Sequence, residues 1–450
     1  MTAAGALTAS AVADTDHVAC FNREGEERGW QDLLATAARV AERVGSSRGR
    51  RWALHLEDAF EFTAGLLGCW AARKTPVVAP APMLEGNAAS LSFDGVIESA
   101  KTATAAGERI VWEKLEPTSA RIAEIAPTAE LVLYTSGSTG TPKEISRQVH
   151  NLEAELAVLE SLWGAALAGA RVFTTVSHRH VYGLLFSVLW PLLHRRPFAT
   201  FRLEFPEQLV DGCGSGHALV SSPALLKRIG HLGAGPRAWR AVFSSGGLLP
   251  ADAAADARRV LGVCPIEVLG STETSGVAWR RQLEPDASAF TALPRVETRA
   301  DTDDFLEARS PFSGESSWLR MGDQVRFAGS GRFELLGRGD HLAKIEDKRV
   351  SLAEIERYLL ESPWIKDVAA VALDDGARQY VGVVAQLTAD GAAALTSRGR
   401  RSFSDALKAV LKSRIERVAV PRKFRYVEAI PVDAQGKRQR ATLAQLFVTR

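Results

Sequence analysis

The chain has 450 residues, 46% of them hydrophobic and 24% charged, with 55 Lys plus Arg against 53 Asp plus Glu. That balance excludes a disordered chain, gives no global charge that would argue for nucleic acid, and allows two or three domains with a large core. Cys20, Cys69, Cys213 and Cys264 show neither C-x-x-C spacing nor a neighbouring His pattern, so a zinc site and a disulfide framework are excluded and buried free thiols are expected.

The Ala-rich start lacks a basic n-region and runs into Asp14 and Asp16, and the longest apolar run, around Gly65 to Ala72, is far too short to span a bilayer. A soluble cytoplasmic protein is the expectation. The first 130 residues carry an apolar patch from Phe60 to Ala72 and a Pro-rich turn from Pro76 to Pro82, and read as part of an α/β layer. Between Glu130 and Gly270, β-type runs alternate with helical patterns. The strands are Glu130–Tyr134, Arg171–Val176, Ala218–Val220, Ala241–Phe243 and Ile266–Leu269. Leu152, Leu156, Leu159 and Trp163 predict an amphipathic helix, with Glu153, Glu155 and Glu160 placed off its apolar face.

The stretch from Leu133 to Lys143, with Thr135, Ser136, Gly137, Ser138, Thr139 and Gly140 at its centre, reads as a phosphate-binding loop. Glycine lets backbone N–H groups approach an anion, hydroxyls add donors, and Lys143 supplies charge. The spacing is not that of a Walker-type loop. Strand, glycine loop and helix in that order predict an α/β phosphate site.

A second, smaller unit is expected from Asp340. Residues 341 to 450 hold 20 basic and 13 acidic side chains, a net +7, which leaves −5 for the first 340. Ser351 and Glu354 have capping-box spacing before a helix, two β-type runs follow (Val368 to Leu373, Tyr380 to Leu387), and a helix carries Leu407, Val410 and Leu411. The unit is a compact α+β domain.

After the phosphate loop come His180-Val181-Tyr182-Gly183, Ser244-Ser245-Gly246-Gly247, Leu269-Gly270-Ser271-Thr272-Glu273-Thr274, Met321-Gly322-Asp323, Gly337-Arg338-Gly339-Asp340 with Lys344, and Pro431 with Gly436-Lys437. In that order these motifs resemble the adenylate-forming superfamily of acyl- and aryl-CoA synthetases, peptide-synthetase adenylation domains and firefly-type luciferases. The resemblance implies a large multi-layer α/β domain, residues 1–339, and a small mobile α+β domain, residues 340–450, turning about a hinge at Asp340. It also implies ATP and Mg²⁺. Activating a carboxylate with ATP brings two anions together, so charge must be screened and the transition state at the α-phosphorus stabilised.

By the same resemblance, Thr135 to Gly140 and Lys143 hold the β- and γ-phosphates, while Gly246, Gly247, Gly270 and Ser271 line the nucleotide site. Thr272 contacts the α-phosphate and Glu273 binds Mg²⁺, a hard cation that prefers carboxylate oxygen. Asp323 accepts from the ribose hydroxyls, Arg338 donates nearby, and Lys437 bridges the carboxylate and α-phosphate. His180, Tyr182 and Ser245 line the acid pocket. Two positions depart from the pattern: Leu269 stands where relatives carry an aromatic residue against adenine, and Asp347 where they carry glycine beside the thiol tunnel. The basic small domain offers Arg398, Arg400, Arg401, Arg414, Arg417, Arg422, Lys423 and Arg425 to an acidic acyl carrier protein. The compact length resembles the ligases of aryl-polyene and xanthomonadin-type pigment pathways, which load hydroxybenzoate-like acids onto carrier protein. The readings left open are a synthetase that uses CoA alone and a non-catalytic nucleotide-sensing paralogue.

Overall fold

The computed structural model describes residues 17–86, 88–100, 107–115, 118, 121–135, 142–211, 216–234, 239–282, 288–329, 331–338, 342–345, 348–374, 378–412, 414–432, 438 and 440–448. The chain divides into a large unit, Met1–Arg299 with Glu307–Met321 and Ala328–Phe333, and a small unit, Ala300–Leu306, Gly322–Phe327 and Glu334–Arg450. It is an α/β fold with a large N-terminal and a smaller C-terminal part.

The large unit holds two sheets. One has six strands in the order Glu108–Val111, Gly95–Glu98, Arg51–His55, Thr75–Val78, Glu130–Thr135 and Lys143–Gln148, all parallel but the last. Its central strands are buried on both faces, which is why Trp52-Ala53-Leu54 and Leu131-Val132-Leu133 read as unbroken apolar runs. The expected Pro-rich turn is instead the strand Thr75–Val78, since Pro76 sits near its start and the following valines are fully buried. The apolar patch from Phe60 to Ala72 is the helix Ala59–Ala71, capped by Asp58, whose carboxylate accepts from the amides of Phe60 and Glu61.

The second sheet runs through Glu27–Gly29, Val18–Phe21, Phe198–Ala199, Val172–Thr174, Ala218–Ser221, Ala241–Ser244, Ile266–Ser271, Ser275–Arg280 and Ala289–Ala292. The six strands from Val18–Phe21 to Ile266–Ser271 are parallel. The helix Val149–Trp163 packs on this sheet through Trp163, whose ring meets Phe243 edge-on at 5.3 Å and Trp279 at 5.8 Å. Leu152, Leu156 and Leu159 are fully buried as predicted, but Glu155 is buried with them at 1% exposure. It lies three residues after Leu152 and four before Leu159, so the helical period puts it on the apolar face.

The small unit is built on a three-stranded sheet, Ile365–Asp374, Gln379–Leu387 and Lys423–Val427. Alternate residues feed two cores. Val368 and Ala370 join Ile355, Leu359, Phe403 and Leu407 on one face, while Ala369, Val371 and Leu373 join Leu443 and Phe447 on the other. The predicted C-terminal helix spans Ala389–Lys412 and is broken at Gly399, whose φ of 74° is not helical.

Cys20 and Cys69 are buried free thiols, and burial pushes both well above the usual thiol range. Cys264 is only half-buried, and Cys213 lies outside the described residues. Among the described residues no helix is long and apolar enough to cross a membrane.

Candidate active site

The predicted site residues of the large unit lie where parallel strands end. Thr135 closes Glu130–Thr135, Ser245-Gly246-Gly247 follow Ala241–Ser244, Thr272-Glu273 follow Ile266–Ser271, and His180 and Tyr182 follow Val172–Thr174. Carboxyl-end loops of open α/β sheets are where such folds bind ligands.

Lys143 pairs directly with Thr135 across an antiparallel ladder. The glycine-rich segment therefore joins two strands, and the helix begins only at Val149, which corrects the expected strand–loop–helix order. The reason is visible in Lys143-Glu144-Ile145-Ser146-Arg147-Gln148, whose inward Ile145 and Arg147 alternate with outward neighbours at period two. Residues 136–141, which include the expected phosphate-holding Ser136, Gly137, Ser138, Thr139 and Gly140, lie outside the described residues.

The outer strand of this hairpin is anchored by Glu144, which accepts from the Tyr134 hydroxyl at 2.6 Å and pairs with Arg51 at 2.7 Å. Burial works to raise the Glu144 carboxyl, but Arg51 and Tyr134 together hold it below the usual range.

Lys143 Nζ meets Glu273 Oε1 at 3.0 Å. Burial works to raise the Glu273 carboxyl as well, and the Lys143 ammonium overrides it, keeping the group ionised and below the usual carboxylate range. The two side chains are 57% and 35% exposed, so the pair contributes about 0–1 kcal/mol and does not hold the turn in place.

The holding is done by Arg147, a residue the sequence did not single out. Its side chain is buried at 4% exposure, and its Nη2 donates to the carbonyls of Thr272 at 2.6 Å and Glu273 at 2.5 Å. Charge-assisted hydrogen bonds of this kind are worth on the order of 1.5–3 kcal/mol each, well above the exposed lysine pair. A cation at an inward strand position, beside Ile145, was the available signal. Burial lowers the Arg147 guanidinium, against the opposing charges of Glu155, Glu273 and Glu315.

The turn is also tied to itself. The Ser271 amide donates to Thr274 Oγ1 and the Thr274 amide to Ser271 Oγ, both at 3.1 Å. The returning strand begins at Ser275 with a left-handed φ of 61°, a costly conformation for a residue with a Cβ. Gly270 has a packing reason to be glycine, because a Cβ there would stand 2.3 Å from the Ser275 carbonyl oxygen. Gly246 has a backbone reason, its φ of 89°.

Beneath the turn, Glu155 Oε1 accepts from the Gly276 amide at 2.9 Å. Burial pushes its carboxyl up to about 7, against the Gly276 amide hydrogen bond and the Arg147 charge.

Ser245 donates its hydroxyl to the Val268 carbonyl at 2.8 Å, so it serves first as a strand-to-strand tie. His180 is half-buried and precedes the short helix Val181–Gly183; the neighbouring His178 is the fully packed one, against Phe62, with burial bringing its imidazole down to about 3. Tyr182 meets Phe186 with ring centroids 4.8 Å apart and planes tilted by 45°, and burial raises its hydroxyl well above the usual tyrosine value.

In the small unit, Asp323 is buried at 7% exposure and Arg338 ends the strand Arg332–Arg338. Asp340, Asp347 and Lys437 lie outside the described residues.

A lysine–carboxylate pair beside a hydroxyl- and glycine-rich segment, at the carboxyl ends of two α/β sheets, defines a nucleotide-binding α/β enzyme. The chain belongs to the AMP-binding, adenylate-forming enzyme family. The family's sequence model, AMP-binding enzyme, matches residues 88–300, and the AMP-binding enzyme C-terminal domain matches residues 354–437. The 4-coumarate–CoA ligase of Rhodobacter capsulatus is 29% identical over 318 residues, 70% of this chain and 76% of that protein. The ATP-bound MatB of Rhodopseudomonas palustris shares the fold with a TM-score of 0.81 at 18% identity, covering 99% of both chains. A benzoate CoA ligase from Burkholderia xenovorans shares it at 0.77 and 21% identity, covering 95% of this chain and 96% of the other. The protein is thus an ATP-dependent, AMP-forming acid–thiol ligase, which activates a carboxylic acid as its acyl-adenylate.

The raised Glu155 pKa sets a stability test. The folded state holds that proton up to about pH 7 and the unfolded state only to about 4.5. The native state therefore binds more protons between those values, and stability falls as pH rises through them, by on the order of 1–3 kcal/mol. Glu155→Gln removes that loss. The difference in Tm between pH 5 and pH 8 is expected to be smaller in the variant, as thermal melts at the two pH values will show.

Proposed function

We propose that the acid is an aryl carboxylate such as a hydroxybenzoate, and that the acyl group passes from the adenylate to a phosphopantetheine thiol. The observation that carries the adenylation half is the Lys143–Glu273 pair, one cation and one ionised carboxylate at 3.0 Å at the end of the phosphate hairpin. ATP brings the polyphosphate that Lys143 and the 135–140 segment bind. Glu273 fits Mg²⁺, which ordinarily takes one or two carboxylates plus substrate phosphates, since it is a hard oxygen donor, partly exposed and held ionised. When bound, Mg²⁺ supplies charge neutralisation between the phosphates.

The remaining roles belong to this chain's own groups. Thr272 donates at the α-phosphate, Gly246, Gly247, Gly270 and Ser271 leave backbone room for the nucleotide, Asp323 accepts from the ribose hydroxyls and Arg338 donates beside it. Lys437 stabilises charge as the carboxylate attacks the α-phosphorus and pyrophosphate leaves. The segment from Asp340 onward turns about that residue between the two half-reactions. The aromatic pair Tyr182–Phe186 next to His180 supports an aromatic acid, as do the relatives that act on 4-coumarate and, among solved structures of the same fold, benzoate.

The acceptor we favour is a carrier protein. Of the basic residues on the small unit, Arg414 is paired with Glu361, and Arg425 donates to the Leu446 carbonyl. Arg400, Arg401, Lys408 and Arg422 ring an open concavity of about 460 Å³ with Phe424 and Asp405 at its wall; there Arg400 also donates to the Phe424 carbonyl and Lys408 pairs with Asp405, both at 3.2 Å. A ring of cations suits an acidic helix of a partner. CoA is the second reading, supported by relatives that are CoA ligases.

Pyrophosphate release from ATP and Mg²⁺ across benzoates, hydroxybenzoates, cinnamates and fatty acids, with CoA, holo carrier protein or neither, tests the whole reading. Acid-dependent release with aryl acids is expected; release with fatty acids alone removes the aryl assignment, and silence with ATP binding intact favours a nucleotide-sensing paralogue. Lys437→Ala is expected to lose adenylation by about 10²- to 10³-fold, the scale of one transition-state donor. The double variant Arg401→Glu, Arg422→Glu is expected to raise the KM for carrier protein about 5- to 10-fold more than that for CoA. Equal changes for both acceptors remove the concavity from partner recognition.

A further inference from the structure

Three tethers run from one short segment of chain to one turn. Lys143 reaches the Glu273 side chain, Arg147 reaches the Thr272 and Glu273 carbonyls, and Glu155 reaches the Gly276 amide. The first is exposed and weak; the other two are buried, and Arg147 brings a full charge to its two bonds. Arg147 occupies an inward strand position that an apolar side chain would fill without the cost of burying a charge. Its guanidinium is spent on two carbonyls of the turn and on the Ser146 carbonyl at 2.8 Å. The carbonyls it caps belong to the two residues assigned to the α-phosphate and to Mg²⁺.

We propose that Arg147 is a positioning residue, which fixes the Thr272–Glu273 turn against the phosphate hairpin so that hydroxyl and carboxylate stand ready before the nucleotide arrives. The role deepens the assignment of Thr272 and Glu273 above and rests on it. Without Arg147 the turn would keep Lys143, the Glu155 bond and its own Ser271–Thr274 bonds, but the Thr272 and Glu273 peptides would have to be fixed by each incoming nucleotide, and that ordering cost would appear as a higher Mg²⁺ requirement and a slower chemical step.

The test uses the full chain with Arg147→Met, which keeps the apolar stem and removes the donors, and Arg147→Lys, which keeps the charge and can reach one carbonyl. Amide hydrogen exchange over residues 271–276, calorimetric binding of ATP with and without Mg²⁺, and pyrophosphate release are measured on each. In Arg147→Met, exchange over 271–276 is expected to quicken at least 10-fold while the helix Trp30–Gly45 is unchanged. The Mg²⁺ concentration for half-maximal ATP binding is expected to rise at least 5-fold, and kcat to fall 10- to 100-fold with the KM for the acid within 2-fold. Arg147→Lys is expected to recover part of both the Mg²⁺ shift and kcat.

Exchange at the wild-type rate in Arg147→Met overturns the clamp. Faster exchange with an unchanged Mg²⁺ requirement and kcat overturns the positioning role. A proportional loss of active fraction, with normal Mg²⁺ dependence in the remainder, shows a purely structural residue and also overturns it. If the wild type releases no pyrophosphate while the exchange and Mg²⁺ shifts appear as expected, the clamp stands and the adenylation assignment falls.

Discussion

The guanidinium of Arg147 joins the two sheets of the large unit at the point where the proposed site sits. Its strand, Lys143–Gln148, is the antiparallel edge of the six-stranded sheet, and the carbonyls it holds follow the strand Ile266–Ser271 of the other sheet. Each sheet by itself presents only half of the proposed site. The phosphate hairpin belongs to one and the Thr272–Glu273 turn to the other, so their relative position is a matter of side-chain bonding and not of a shared ladder. A buried cation is an expensive way to make that join, and the cost is limited by the carbonyls it bonds and by the ionised Glu273.

The same region gathers several conformational costs in a few residues. Gly270 and Ser275 approach closely enough to forbid a Cβ at the first, Ser275 is left-handed, and Glu155 is buried with its proton affinity raised. Strain and perturbed acidity concentrated at one turn are what a functional site displays when its geometry is set by surrounding structure and not by local preference. The helix Val149–Trp163 supplies that surrounding rigidity through Trp163 and its aromatic contacts.

Much of this was legible in the sequence, for physical reasons that can be named. The parallel strands Ala218–Ser221, Ala241–Ser244 and Ile266–Ser271 announced themselves because strands buried on both faces must be apolar throughout. The ordered motifs carried the family because each reaction task needs its own residue type. What escaped was set by register and by tertiary contact. Whether Lys143–Gln148 is strand or helix N-terminus depends on pairing with Glu130–Thr135, and the glycine-rich residues between them disguise a hairpin. Glu155 is expected off the apolar face of its helix, yet its spacing from Leu152 and Leu159 puts it inward. Arg147 has partners more than 120 residues away, which no local pattern can reveal.

The small unit's sheet is covered on both faces, by Phe403, Leu407 and their neighbours on one side and by Leu443 and Phe447 on the other. Most of its apolar contacts are therefore internal, and its long antiparallel pair Ile365–Asp374 with Gln379–Leu387 joins residues close in sequence. A body of that kind can form separately, from contacts of its own, without the rest of the chain as a template. It can also be inherited, exchanged or grafted as a block, which lets its outer surface diverge while the two sheets of the large unit are left untouched.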